Sequence, residues 1–251
     1  MGDKKLHHCY YSSDISGGAS ASAPPPPFSS TPASPPATIK ELENAQKCVD
    51  AHSKACVIGI KLEDAILLVA RKPATRSLET TKHRVIDKLS DNILISACGF
   101  GSDSDHVTRK AQVEVVSLFD STDTNVQSEQ VVSKVSDYLS HFATRPEYRP
   151  LGVSVLLAGQ NRANRTLNLY LITSGGTRFE YRACCIGCHS SSVMAELEKC
   201  SPEIYTSVSV ALKCSMGLVQ AKGAGSVQVG IIRDGEEAKI LNDAEVNALL
   251  S

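Results

Sequence analysis

Cys185-Ile186-Gly187-Cys188-His189 is the stretch of this chain whose residue types and spacing look most like a reaction centre. Two cysteines with two residues between them, followed at once by a histidine, match the string that anchors c-type haem, and Cys184 alongside gives the cluster the look of a metal site. Haem attachment needs an oxidising export compartment and a distal axial ligand, and no export signal is visible. A structural zinc needs four ligands, and the nearest further candidates, Cys200 and His141, bring no second paired spacing. Neighbouring residues of a strand point to opposite faces, so Cys184 and Cys185 at a strand end should diverge while His189 opens the next helix. The expectation is no cofactor and no metal, with these cysteines on a strand-to-helix turn. Cys188, exposed at a helix start, keeps one minor reading as a redox thiol whose pKa the helix dipole lowers.

The remaining polar candidates carry less. His83 and His106 are isolated among charged residues and read as solvated. Ser174-Gly175-Gly176 reads as a turn rather than a phosphate loop, because no Lys-Ser/Thr follows and no helix starts there. Nine cysteines is an odd number, and Cys56, Cys98 and Cys214 have apolar neighbours, which suits reduced buried thiols better than a disulfide framework. That points to the cytoplasm and nucleus.

At 251 residues and 42% hydrophobic content the chain can bury one sizeable core. Its 26 Lys+Arg nearly cancel 27 Asp+Glu, so no net field favours nucleic acid or an anionic membrane. The longest apolar run, residues 65–70, is far short of the roughly 20 that span a bilayer, and no apolar segment follows the basic start at residues 1–5.

The elements that must position any site follow from periodicity. Residues 17–37 collapse to Gly, Ala, Ser, Thr and Pro around Phe28, with four consecutive prolines at 24–27. Such a stretch cannot bury enough apolar surface to offset its ordering entropy, so 1–37 is expected to be a disordered arm and 38–251 the folded domain. Thr38 can cap a helix carrying Leu42, Ala45, Cys48 and Val49. Runs at 55–61 and 65–71 predict a hairpin around Leu62, Glu63 and Asp64, with further strands at 84–88 and 92–98.

Two amphipathic helices follow, one carrying Val107, Ala111, Val115 and Leu118, the other Val131, Val135, Tyr138, Leu139 and Phe142. Strands are expected at 151–158, 166–173 and 178–184, the last two turned by Gly175-Gly176. Helices at 190–200 and 202–220, a strand at 226–232 and a helix at 243–250 close the chain. Strands, two helices, strands, two helices, strand, helix is the order of an α+β protein, a four-layer α-β-β-α sandwich with two antiparallel sheets between helix layers.

That order, with residues inside it, resembles the proteasome alpha-subunit family of the N-terminal-nucleophile hydrolase fold. The carriers are Val57-Ile58-Gly59-Ile60-Lys61, Ala97-Cys98-Gly99-Phe100-Gly101-Ser102-Asp103, Arg149-Pro150-Leu151-Gly152-Val153, Phe179-Glu180-Tyr181-Arg182-Ala183-Cys184-Cys185-Ile186-Gly187, Val227-Gln228-Val229-Gly230-Ile231 and the ending 240–250. Each is weak alone; six in the family's order over about 210 residues are not. Physically they read as fold maintenance: Gly99 and Gly101 let the chain leave a buried strand and start a helix, with Asp103 offsetting the positive helix start.

The resemblance implies what chemistry to look for. Catalytic relatives use an N-terminal threonine activated by its own amine and a lysine. Here that position falls on Ala55, the acidic partner on Arg71 and the lysine near Val85, which implies a non-catalytic structural subunit with no catalytic residues. The alternative is an amidohydrolase using Cys56 after cleavage of the Ala55–Cys56 bond. Alpha subunits of the family form a seven-membered ring stacked on the beta ring, close its entrance and receive activator tails in ATP- and ubiquitin-dependent protein degradation. The pocket lysine of that docking corresponds to Lys72, whose ammonium suits a terminal carboxylate. The family's Tyr-Asp-Arg gate sequence is not matched by Tyr10-Tyr11-Ser12-Ser13-Asp14.

Overall fold

Strands 56–61 and 65–71 are apolar almost without a break because both of their faces are covered. β1 (Cys56–Lys61) and β2 (Ala65–Arg71) form the expected hairpin, running from Cys56 opposite Arg71 to Lys61 opposite Ile66. Leu62 N donates to Ala65 O at 2.8 Å to close it, leaving Glu63 and Asp64 exposed. A computed structural model describes residues 39–53, 55–72, 84–122, 126–145, 147–162, 164–221 and 226–250. All belong to one compact unit, residues 34–251. The arm at 1–37, Thr38, Lys54 and His83 lie outside the described residues.

α1 (Ile39–His52) leads into the hairpin, and β3 (Ile86–Ser90) and β4 (Ile93–Gly99) follow it. Then come α2 (Gly101–Thr122) and α3 (Ser128–Thr144), and strands β5 (Val153–Asn161), β6 (Thr166–Ile172), β7 (Arg178–Glu180) and β8 (Ala183–Gly187). α4 (Ser190–Leu197), a 3-10 helix at Pro202–Tyr205, α5 (Val208–Ala221), β9 (Val227–Arg233), β10 (Lys239–Leu241) and α6 (Asp243–Leu250) complete the order. The first sheet runs β10-β9-β2-β1-β8, the second β3-β4-β5-β6-β7, and every recorded pairing is antiparallel.

The period-two alternation of strands divides the apolar residues among three cores. Val57, Ile66 and Leu68 face Leu94, Leu156 and Leu169 between the two sheets. Ile58, Leu67 and Val69 turn the other way, onto Val193, Leu212 and Val219 of α4 and α5. Ile93, Ile95 and Leu157 of the second sheet pack on Val107, Val131 and Leu139 of α2 and α3. Each such aliphatic side chain, buried from water, contributes about 1.5 to 3 kcal/mol. Four layers result, as the order of elements implies.

Three boundaries depart from expectation. The strand expected at 178–184 is two strands in different sheets. β7 pairs with β6; then Tyr181 N donates to Leu169 O at 2.9 Å, and one residue later Arg182 O accepts from Lys61 N at 2.7 Å. The chain thus crosses between sheets while the alternation of Phe179, Tyr181 and Ala183 with Arg178, Glu180 and Arg182 continues unbroken. The helix expected at 202–220 is interrupted because Thr206 folds back on Glu203 O through its N–H (3.1 Å) and hydroxyl (2.8 Å), the local competition such side chains offer a helix. β10, opposite Val229 to Ile231 of β9, is too short for periodicity to reveal.

Gly99 takes the role read for it and Gly101 does not. Gly99 has φ of +150°, and a Cβ there would lie 2.0 Å from Gly152 O. A Cβ on Gly101 would meet nothing within 4 Å.

Candidate functional site

The head of β1 is where a nucleophile would stand. Ala55 stands there instead, and its carbonyl accepts both Ser53 Oγ (2.9 Å) and Cys188 N (2.9 Å). α1 brings the chain in through Ser53, and the β8–α4 turn supplies Cys188, so two elements fix that peptide from opposite sides. A methyl group offers no atom for attack.

Cys56, the next residue, is fully buried with its sulfur 3.6 Å from that of Cys185 on β8. The thiol is pushed up to about 12: its bond with Cys185 raises it most, the Cys188 bond opposes, and burial raises it further. At neutral pH the Cys56 thiol is therefore protonated. Arg71, directly opposite Cys56, donates from Nη2 to the Cys188 sulfur at 2.9 Å. Cys98 is also pushed up to about 12, chiefly by burial. The position implied for an activating lysine, Val85, is apolar; its N–H donates to Gln228 Oε1 at 3.0 Å, part of a clamp by which β9 holds β3.

The string at 185–189 divides as strand geometry requires. Cys184 lies in the core between the sheets, Cys185 on the helix side, and His189 is exposed with a left-handed backbone. Among the described residues no group of three His, Cys, Asp or Glu is arranged to hold a metal ion. The redox reading of Cys188 is corrected: the residue is half-buried, α4 begins only at Ser190, and the thiol is raised rather than lowered. The Cys56 thiol and burial raise it, outweighing Arg71. His106 is exposed as expected, yet its ring bonds the Tyr138 hydroxyl. Ser174-Gly175-Gly176 is a turn, closed by Gly176 N on Thr173 O at 2.8 Å.

Lys72, the residue assigned a docking role, directly follows β2 and is half-buried; its N–H donates to Ser226 O at 2.8 Å. It therefore stands at the same end of the first sheet as Cys56 and Arg71.

One constellation escaped the sequence reading. Asp103, in the first turn of α2, receives both Arg149 nitrogens at 2.8 Å and Gly152 N at 3.0 Å. The pair ties α2 to the entry of β5 and lines a cleft with Glu41, Phe100 and Tyr148. Each partner had been read only against its local neighbours, and nothing in the sequence links positions 46 apart.

Two five-stranded antiparallel sheets packed face to face, helices outside both, and an alanine at the head of the first strand define a nucleophile-free sandwich of the N-terminal-nucleophile hydrolase class. The chain belongs to the proteasome subunit family, whose model, Proteasome subunit, matches residues 52–214. It is similar to proteasome subunit alpha type-2 of Dictyostelium discoideum, 27% identical over 227 residues covering 89% of this chain and 96% of the relative. Proteasome subunit alpha type-2 of Oryza sativa subsp. indica is 26% identical over 231 residues, 89% of this chain and 95% of the relative. Proteasome subunit alpha type-7 of Dictyostelium discoideum is 26% identical over 221 residues, 87% of each.

Proposed function

We propose that this chain is a non-catalytic alpha-type ring subunit of the proteasome core particle, contributing to the substrate entrance and to activator docking in ATP- and ubiquitin-dependent protein degradation. The observation that carries the reading is Ala55 at the head of β1, with its carbonyl held by Ser53 and Cys188, in a chain similar over 89% of its length to alpha-type subunits. The amidohydrolase reading through Cys56 loses its support: the thiol is buried and protonated, and the peptide whose cleavage would free it is pinned from both sides.

Assembly is further supported by α2, which leaves Val113 60%, Val116 60% and Phe119 53% exposed on one stripe. An apolar stripe of this kind is costly on an isolated protein and suits a neighbouring subunit. The partners are other proteasome subunits: six alpha subunits completing a seven-membered ring, the adjoining beta ring, and activators whose terminal carboxylates meet Lys72. Cytoplasm and nucleus are the compartments proposed.

Purification of the tagged chain under native conditions tests the reading by mass. A particle of ring size or larger, with peptide hydrolysis carried by other subunits, is expected. A monomeric chain that hydrolyses peptides by itself would overturn it.

A further inference from the structure

We propose that Cys200 and Cys214 form a reversible disulfide, a redox modification site on the outer helix layer. Their sulfurs lie 3.4 Å apart, in contact. Cys200 stands in the turn after α4 and Cys214 in the middle of α5, both half-buried. A bond of about 2.05 Å needs the two sulfurs to approach by about a further 1.4 Å.

Access separates this pair from the other close one. Cys56 and Cys185 are 3.6 Å apart, but Cys56 is fully buried and Cys185 nearly so. A small oxidant meets the first pair from solvent and the second only after the sandwich opens. Proximity then favours ring closure over a second encounter with external reagent.

The oxidant is a low-molecular-weight disulfide. The Cys200 thiolate attacks one sulfur, the external S–S bond breaks, and one thiol leaves with the proton that Cys200 gave up. Cys214 then loses its proton and attacks the Cys200 sulfur, and the second external thiol departs. Two electrons pass from the protein dithiol to the reagent, which ends as two thiols. Burial, and then the adjacent Cys200 thiol, push Cys214 up to about 11, consistent with its acting second, when its target is already in contact. The product ties the end of α4 to α5 across the 3-10 helix.

The assembled particle containing the full chain is equilibrated with mixtures of reduced and oxidised glutathione, quenched, alkylated and digested with trypsin without reduction. Lys199 and Lys213 immediately precede the two cysteines, so cleavage leaves them on separate peptides, 200–213 and 214–222. A linked pair lighter by about 2 Da than the two free peptides is expected, at least about tenfold more abundant than any Cys56–Cys185 link. Independent alkylation of both cysteines at every mixture, or Cys200 recovered only as a glutathione adduct, would overturn the proposal. In Cys214→Ser the adduct on Cys200 should accumulate, and its absence would refute the assigned first attack.

Discussion

The guanidinium of Arg71 donates to the sulfur of Cys188 at 2.9 Å, directly across the β1–β2 ladder from Cys56. A cation thereby closes the head of the first sheet where a working relative needs an acid, and no amine stands at Val85. Replacing Cys56 by alanine should leave peptide hydrolysis by the assembled particle unchanged, measured with fluorogenic substrates. Turnover that disappears in Cys56→Ala would restore the catalytic reading.

The Asp103–Arg149 pair should make stability depend on acid. Burial is the largest single influence on Asp103 and pushes its carboxyl up, but the Arg149 bonds, the Gly152 N–H and the nearby positive charge together hold it below the usual carboxylate range. The folded chain therefore binds this proton less readily than the unfolded one. The contribution is fully present above the unfolded value of about 3.9 and is lost as pH falls through the depressed folded value. Arg149 is 63% exposed while Asp103 is 6% exposed, so water screens one partner and Asp103→Asn should cost about 1 to 2 kcal/mol. Thermal melts at neutral pH should fall by about 2 to 8 °C, with the gap to wild type narrowing in acid. A melting temperature identical to wild type at pH 7 would remove the pair from the stability account.

Periodicity made the sandwich readable and distance in sequence hid its ties. Ile58 and Val57 fall on opposite faces by alternation alone, and the same rule separates Cys184 from Cys185. The hairpin was legible because Glu63 and Asp64 interrupt two apolar runs. By contrast, the crossing at Tyr181 and Arg182 leaves no mark, since Phe179, Tyr181 and Ala183 alternate with Arg178, Glu180 and Arg182 straight through it. Asp103 and Arg149, or Cys200 and Cys214, meet only because helices and strands are stacked. The absent nucleophile at Ala55 needed the family's spacing to be seen, and the structure adds the hydrogen bonds that pin its peptide.

Gly99 and Gly101 form a matched pair for testing backbone constraint. Gly99→Ala drives a Cβ into Gly152 O at 2.0 Å and Val153 Cα at 2.9 Å, with φ at +150°, and both neighbours are backbone atoms, Val153 paired with Gly99 in the β4–β5 ladder and Gly152 just before it. Strain and displacement should cost about 2 to 4 kcal/mol. Gly101→Ala meets open space at the start of α2 and should be neutral or slightly stabilising, because the unfolded chain loses freedom. Chemical denaturation of the two variants measures both; equal effects would mean that the close approach at Gly99 relaxes freely.

Lys72 offers the test of docking. If an activator's terminal carboxylate pairs with its ammonium, Lys72→Ala should weaken activator binding by about 1.5 to 3 kcal/mol where the pair is partly desolvated, and by under about 1 kcal/mol where water reaches it. The upper range is more than tenfold in Kd. Assembly should be unaffected, because the side chain follows β2 rather than joining either core. Arg71 is a poor control despite its charge, since its guanidinium holds Cys188 and its removal would disturb the head of the sheet. Lys61 is a better one: it stands at the opposite end of β1, paired with Glu180 at 2.9 Å. Binding measured by surface plasmon resonance on intact particles should fall for Lys72→Ala, hold for Lys61→Ala and recover in part for Lys72→Arg, which keeps the charge but not the compact ammonium. Equal weakening by Lys72→Ala and Lys61→Ala would indicate diffuse attraction, and no weakening by Lys72→Ala would leave the residue as an ordinary charge at a strand end.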